Sequence, residues 1–231
     1  MEHFFTFNGE RSADYGVWIS GGGTYNAPAR DVITEAIPGL NGMISFDNGR
    51  FENVTLTYPA WISQRFTPRM DGFRAFLASQ TGYQRLEDTY HPDEYRMALY
   101  KAGMEVTTTS RNLAGRFDII FDCKPQRWLK AGEQSKAYSS GSVLYNPTRF
   151  EALPLIICSG NGTITLNGTT MTISGNSGQI YIDCDLQDAY LGSTNKNSKI
   201  TQGFPTLAPG ANTLTYSGVT GVQIMPRWWT I

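Results

Sequence analysis

Two histidines, three cysteines and one short run of acids are the residues of this chain whose types could do chemistry. His3 lies near the first residue and His91 in the turn-like stretch His91-Pro92-Asp93-Glu94, and neither stands in a metal-ligand spacing such as H-E-x-x-H. Cys123, Cys158 and Cys184 are odd in number and have no C-x-x-C spacing, which fits neither a zinc site nor a disulfide framework. They are expected to be reduced thiols buried in strands. No G-x-S-x-G elbow and no glycine-rich phosphate loop occurs; Gly21-Gly22-Gly23 lacks a following Lys-Ser/Thr and reads as a flexible connection. Asp183, Asp185 and Asp188 could hold a hard cation or flank a sugar at a strand end, yet Leu186 onward looks irregular and a solvated turn is the simpler reading. Trp228 and Trp229 beside Arg227 could stack on a sugar, or serve as interface or core residues of the last strand. No catalytic, cofactor-binding or metal-ligating set emerges, no cofactor is expected, and the chain reads as a non-enzyme.

Composition narrows the classes further. With 231 residues, 40% hydrophobic and 17% charged, the chain is globular and long enough for two small cores. A net charge of −1 argues against a dedicated duplex-DNA binder, which needs a basic face to displace counterions from phosphates. Met1 to Arg11 has neither the basic start nor the apolar stretch of a signal peptide, and no run reaches the roughly 18 apolar residues of a membrane span. A protein made and kept in a cytoplasm is expected.

The elements that must position these residues are mostly strands. Charge density falls along the chain: residues 1–138 hold 15 Lys+Arg and 16 Asp+Glu, whereas residues 139–231 hold 4 and 4. That shift implies two domains, 1–138 and 139–231, joined in the polar stretch Ala131 to Ser142. In the first, Phe4, Phe5 and Phe7 precede the turn dipeptide Asn8-Gly9, and Tyr15 to Ile19 has a strand pattern. Residues 42–58 read as a hairpin with its turn at Asn48-Gly49, between Ile44-Ser45-Phe46 and the arm Phe51, Val54, Leu56, Tyr58. Residues 68–81 read as a helix: Thr67 can cap, Pro68 suits the first position, Asp71 the first turn and Gly82 the end. Phe66, Met70, Phe73 and Leu77 then share the face that covers a sheet. Strands are expected at Tyr95–Tyr100, Met104–Ser110 and Phe117–Phe121, where Phe117, Ile119 and Phe121 alternate with Asp118 and Asp122, interrupted only by Ile120. The second domain shows only short strands and turn signals, including a hairpin at Asn167-Gly168, which argues for a β-sandwich.

The motifs, taken in order, resemble one family. Phe7-Asn8-Gly9-x-x-Ser12-x-Asp14-Tyr15-Gly16-Val17, Asp47-Asn48-Gly49-Arg50-Phe51-Glu52-Asn53, Leu86-Glu87-Asp88, Pro92-Asp93-Glu94-Tyr95-Arg96 and Phe121-Asp122-Cys123-Lys124-Pro125 are similar to segments of the distal tail proteins of siphophages and related prophages. Asp183 to Tyr190, Asn195-Lys196-Asn197, Phe204 to Asn212 and Pro226-Arg227-Trp228 continue the resemblance through the second domain. It implies a mainly β protein of two domains. The N-terminal ring domain would be β-sandwich-like, with one helix and a protruding hairpin, and the C-terminal one an antiparallel sandwich resembling galectins and carbohydrate-binding modules. It further implies a homohexameric ring at the distal end of a phage tail. The partners would be the tail tube protein, a tail-tip hub protein and a receptor-binding protein, with DNA passing through the central channel without specific binding. Such a protein is synthesised in the host bacterial cytoplasm and ends at the virion tail tip, away from any membrane. Larger relatives carry an inserted carbohydrate-binding module, for which this chain is too short.

In such a ring the hairpin acts as a belt between neighbours, because an unpaired strand edge can extend another sheet. The residues assigned to that interface are Ser45, Phe46, Asp47, Asn48, Gly49, Arg50, Phe51, Glu52 and Asn53. Deleting Ser45 to Asn53 is expected to leave folded monomers. The rival reading is a free-standing glycan-binding protein built on the Gly/Asn-rich sandwich, which leaves the charged first domain and its hairpin without a purpose.

Overall fold

The computed structural model describes residues 2–21, 24–63, 65–109, 113–201 and 203–231; Gly22, Gly23 and Ser110 of the expected connection and strand lie outside the described residues. Among the described residues the fold is mainly β with antiparallel sheets and one α-helix, as expected. It divides into two compact units, one through Arg127 and the other Trp128–Thr230. This division falls earlier than residue 138. Lys136 and Ala137 pair with Ile224 and Gln223, which commits the polar stretch to the second unit's sheet.

In the first unit the strands lie in the order Glu10–Arg11, Phe5–Phe7, Gln84–Asp88, Glu94–Leu99, Ala114–Leu129, Val54–Ser63, Val17–Ile19. Period-two alternation decides which face is dry. Val54, Leu56, Tyr58, Ala60 and Ile62 are buried, and the intervening residues of that strand point away from the core. Across it, Phe117, Ile119, Phe121 and Cys123 face the same interior. Phe121 is the hub, with rings of Phe5, Phe7, Tyr58 and Tyr100 at 4.9 to 6.1 Å between centroids.

The helix Phe66–Ser79 closes this core with Met70, Phe73, Phe76 and Leu77. Its ends differ from expectation. It starts at Phe66 after Arg65, which has φ 46°, and no side chain caps it, so Thr67 lies inside the first turn and Asp71 beyond it. Pro68 still falls in the first turn, where a missing N–H costs nothing. The helix stops with Gln80 in extended backbone, whose N–H bonds to Leu77 O; Gly82, at φ 68°, shapes the following turn instead. His91-Pro92-Asp93-Glu94 does form a turn, closed by Glu94 N–H to His91 O at 3.2 Å.

The second unit is a sheet folded around its own core of Ile156, Ile164, Leu166, Ile182, Leu214 and Ile224. Two long strands, Leu155–Leu166 and Gly210–Met225, pair with register shifts after Ile157 and after Gly160. Bulges of this kind bend a strand, so one pair can serve both layers of a sandwich. Gly162 and Gly218 make the bend sterically possible: a Cβ on Gly162 would stand 2.0 Å from Ser217 O, and one on Gly218 2.6 Å from Asn161 O. The hairpin at Asn167-Gly168 is as expected, with φ 49° and 83° and Leu166 paired to Thr169.

All three cysteines are free and buried. Cys123 and Cys158 sit in strands, while Cys184 lies in the turn just after Gln179–Asp183. Burial pushes the Cys123 and Cys184 thiols up to about 12 and Cys158 up to about 11. Native protein at pH 8 should therefore leave all three unmodified by an aromatic disulfide reagent over an hour, and denatured protein should titrate all three at once. Rapid labelling of any one in the native state would contradict this burial.

Candidate assembly interface

A two-stranded ribbon leaves the first unit between Asn26 and Asn53. Arg30–Ala36 pairs antiparallel with Met43–Phe51, from Arg30 opposite Phe51 to Ala36 opposite Met43. The turn at its tip is Ile37-Pro38-Gly39-Leu40, closed by Leu40 N–H to Ile37 O at 3.1 Å, with Gly39 at φ 85°. Proline then glycine at the central positions, with positive φ at the second, defines a type II turn. The chain thus turns at Pro38-Gly39, not at Asn48-Gly49.

Asn48 and Gly49 instead form a bulge. The register slips between Arg30 and Val32, so Asp31 faces more than one residue of the other strand. Gly49 takes φ 71°, the conformation a glycine bulge demands, and donates its N–H to Asp47 Oδ1 at 2.8 Å. Side chains lock the slip: Asn48 donates to Asp31 Oδ1, Arg50 to Asp31 Oδ2, and Arg30 to Asp47 Oδ2. The Asn48 amide, then the Arg50 guanidinium, hold the Asp31 carboxyl below the usual carboxylate range; Arg30, then the Gly49 N–H, do the same for Asp47. These pairs are solvated and add little stability. Their effect is to fix one register.

The ribbon has no core. From Arg30 to Phe51 no residue is buried. Directly opposed residues share a face, so one face carries Ile33, Phe46, Ile44 and Glu35 and the other carries Val32, Met43, Ala36, Thr34, Ser45 and Asp47. Ile33 and Phe46 are 56% and 55% exposed, Met43 68%, and Leu40 at the tip 56%. A lone two-stranded ribbon is marginal in water at best, and contiguous exposed apolar surface marks an interaction site.

Of the expected interface residues, Ser45 to Phe51 lie on this ribbon. Glu52 and Asn53 belong to its root: Glu52 N–H bonds to Ala29 O at 2.9 Å, and the Asn53 amide donates to Asp122 Oδ1 at 2.9 Å and to Tyr83 Oη. The first strand, the tip and Val32, Ile33 and Leu40 were missed, although Pro38-Gly39 between Ile33 and Ile44 is a turn signal in its own right.

The other singled-out residues are structural. His3 stacks on Tyr90 at 4.1 Å and bonds through Nδ1 to Thr89 Oγ1, and His91 meets the edge of Tyr25. Asp183 is not in a solvated turn. It is 3% exposed, and the Arg227 guanidinium donates to both its oxygens at 2.7 and 2.8 Å. With both oxygens so occupied it is unsuited to a cation, and among the described residues no group of three or more His, Cys, Asp or Glu could hold a metal. Trp228 is a core residue, and Trp229 stacks on Phe150 at 4.4 Å while donating its indole N–H to Glu151 O.

No family model and no curated protein matches the sequence. Solved structures do match by shape. The Dit protein (gp 19.1) of phage SPP1, described as a paradigm of the hub adsorption apparatus of phages infecting Gram-positive bacteria, superposes with a TM-score of 0.80 at 12% identity, over 100% of both chains. A chain of the phage P2 baseplate, in its activated conformation with Ca, matches with a TM-score of 0.50 at 11% identity over 97% of each. Over its whole length the chain has the fold of the SPP1 Dit protein, a distal tail and hub protein, which is the fold that the sequence resemblance implied.

Proposed function

We propose that this chain is a non-enzymatic structural protein of a long-tailed phage, closing as a homohexameric ring at the distal end of the tail. The ring joins the tail tube protein to a tail-tip hub and leaves a channel through which DNA passes. First units form the ring, ribbons act as the belt between neighbours, and second units present a surface for other tip components, a receptor-binding protein among them. The protein is made in the host cytoplasm and works at the virion tail tip.

One observation carries this reading: a ribbon with apolar residues on both faces and no core in its own chain. Such a segment is stable only when covered, and a closed ring of heterologous contacts covers every copy of it. The shared fold with a phage hub protein supports the same reading, and a net charge of −1 is compatible with a lumen that lets phosphates slide.

Light scattering after size exclusion tests it. The chain alone is expected at six times its 25.6 kDa mass, or to reach six copies per particle once the adjacent tail proteins are added. A monomer that stays monomeric in the presence of those proteins would refute the ring.

A further inference from the structure

Asparagine is thermolabile, and most so before glycine, which sets no side chain against the approach of its own nitrogen to the asparagine amide. The chain has five such pairs, beginning at Asn8, Asn41, Asn48, Asn161 and Asn167. In the reaction the glycine backbone nitrogen attacks Asn Cγ and closes a five-membered imide. The Cγ–Nδ2 bond breaks, and ammonia leaves with the proton of the attacking N–H. Water then opens either carbonyl–nitrogen bond of the imide, giving aspartate or isoaspartate. One water is consumed and one ammonia released, with nothing oxidised or reduced.

Four of the five pairs are held against ring closure. Asn8 and Asn167 occupy two-residue hairpin turns at φ 48° and 49°, with Phe7 paired to Glu10 and Leu166 to Thr169. Their backbone N–H groups bond to Arg85 O at 2.9 Å and to Thr213 O at 3.0 Å, and the Asn8 amide also donates to Gln80 Oε1 at 2.8 Å. Swinging the glycine nitrogen toward Cγ would undo those turns. At Asn48 the nucleophile itself is engaged, since Gly49 donates its N–H to Asp47 Oδ1, and the Asn48 amide is tied to Asp31. Asn161 Oδ1 accepts the Asn176 N–H at 2.7 Å, and Gly162 packs so closely that a Cβ there would stand 2.0 Å from Ser217 O.

Asn41 has none of these restraints. It follows the turn of residues 37–40 at the ribbon tip and comes just before Met43, where the second ribbon strand begins. Residues 37–42 are all exposed, and Asn41 is not among the residues of positive φ. Among the described residues nothing bonds to the Asn41 side chain or to the Gly42 N–H, and a Cβ on Gly42 would meet nothing within 4 Å. We infer that Asn41 is a site of spontaneous covalent modification in the folded protein, deamidating through Gly42 to aspartate and isoaspartate. Solvent water is the co-reactant. The product carboxylate lies among the exposed tip residues Ile37, Leu40 and Met43, so an aged chain carries a negative charge within its apolar tip. The inference does not depend on the ring proposed above.

Peptide mapping by mass spectrometry tests it, on native and on urea-unfolded chain held in warm, mildly alkaline buffer. In the unfolded chain all five pairs should convert at similar rates. In the native chain Asn41 should keep its unfolded rate while each of the other four slows by about tenfold or more, the effect on a barrier of having to break one such restraint first. A partner seated on the tip would slow Asn41 as well, so the incubation is repeated with Phe46→Glu, which sets a charge on an apolar face of the ribbon. Slow conversion of Asn48 in that variant certifies that the ribbon strands remain paired. Conversion of Asn41 at its unfolded rate in either native chain supports the site. Slow conversion of Asn41 in both, or another of the five pairs reacting as fast, overturns it.

Discussion

Replacing residues 31–50 with a short glycine link should yield a monomer that unfolds like the parent chain and no longer assembles. Arg30 and Phe51 are direct strand partners, so a link of two or three glycines joins them without pulling on the sheet. The root is left whole: Asn26 still donates to Thr55 O, Glu52 to Ala29 O, and Asn53 to Asp122. No buried residue is removed, so the change in melting temperature should stay within about 2 °C. Assembly should fall from hexamer to monomer, a complete loss. A cut limited to Ser45–Asn53, the deletion the sequence alone suggests, is a poorer experiment. It leaves Arg30 to Thr34 without partners and removes the Asn53 anchor, so lost assembly could reflect a damaged sheet. Light scattering paired with calorimetry distinguishes the outcomes: rings from the clean excision would refute the belt, and a large drop in melting temperature would show that the ribbon supports its own unit.

The second large effect belongs to the ion pair in the second unit. Asp183→Asn should cost about 3 kcal/mol of stability, because it strands the Arg227 guanidinium in a half-buried place with one partner gone. The carboxylate also accepts the N–H groups of Asp185 and Leu186, so it organises the turn after its strand. Burial opposes its ionisation, but the Arg227 guanidinium and those two donors outweigh burial and hold it below the usual carboxylate range. A depressed value in the folded state means the contribution is full above the unfolded carboxyl value near 3.8 and fades as pH falls through the lower folded value. Urea unfolding of parent and variant should therefore differ by a constant amount from pH 7 to pH 5 and converge below about pH 4. A difference that instead grew on acidification would show that the carboxyl is not ionised in the native state.

Most of the fold was legible because patterning and turn chemistry are local. The helical stripe of Met70, Phe73 and Leu77 and the alternation of Phe117, Ile119 and Phe121 report burial directly. The site was half legible. Asn8-Gly9, Asn48-Gly49 and Asn167-Gly168 are the same dipeptide, yet two are hairpin turns and one is a bulge. The dipeptide only permits positive φ; which strand arrives opposite decides what is made of it. Here Arg30–Ala36 claims Met43–Phe51, and that non-local pairing moves the turn to Pro38-Gly39. Asp183 was misplaced for a similar reason, since its partner Arg227 lies 44 residues away.

The three buried thiols have one further consequence. A fold with no disulfide to form and no thiolate to oxidise has the same stability at any glutathione potential. On the function proposed above, a tail component put together inside a reducing cell and later exposed to air and water as part of a free particle would need neither an oxidative maturation step nor protection from one. The proposed ring would then be as durable on release as when it first closed.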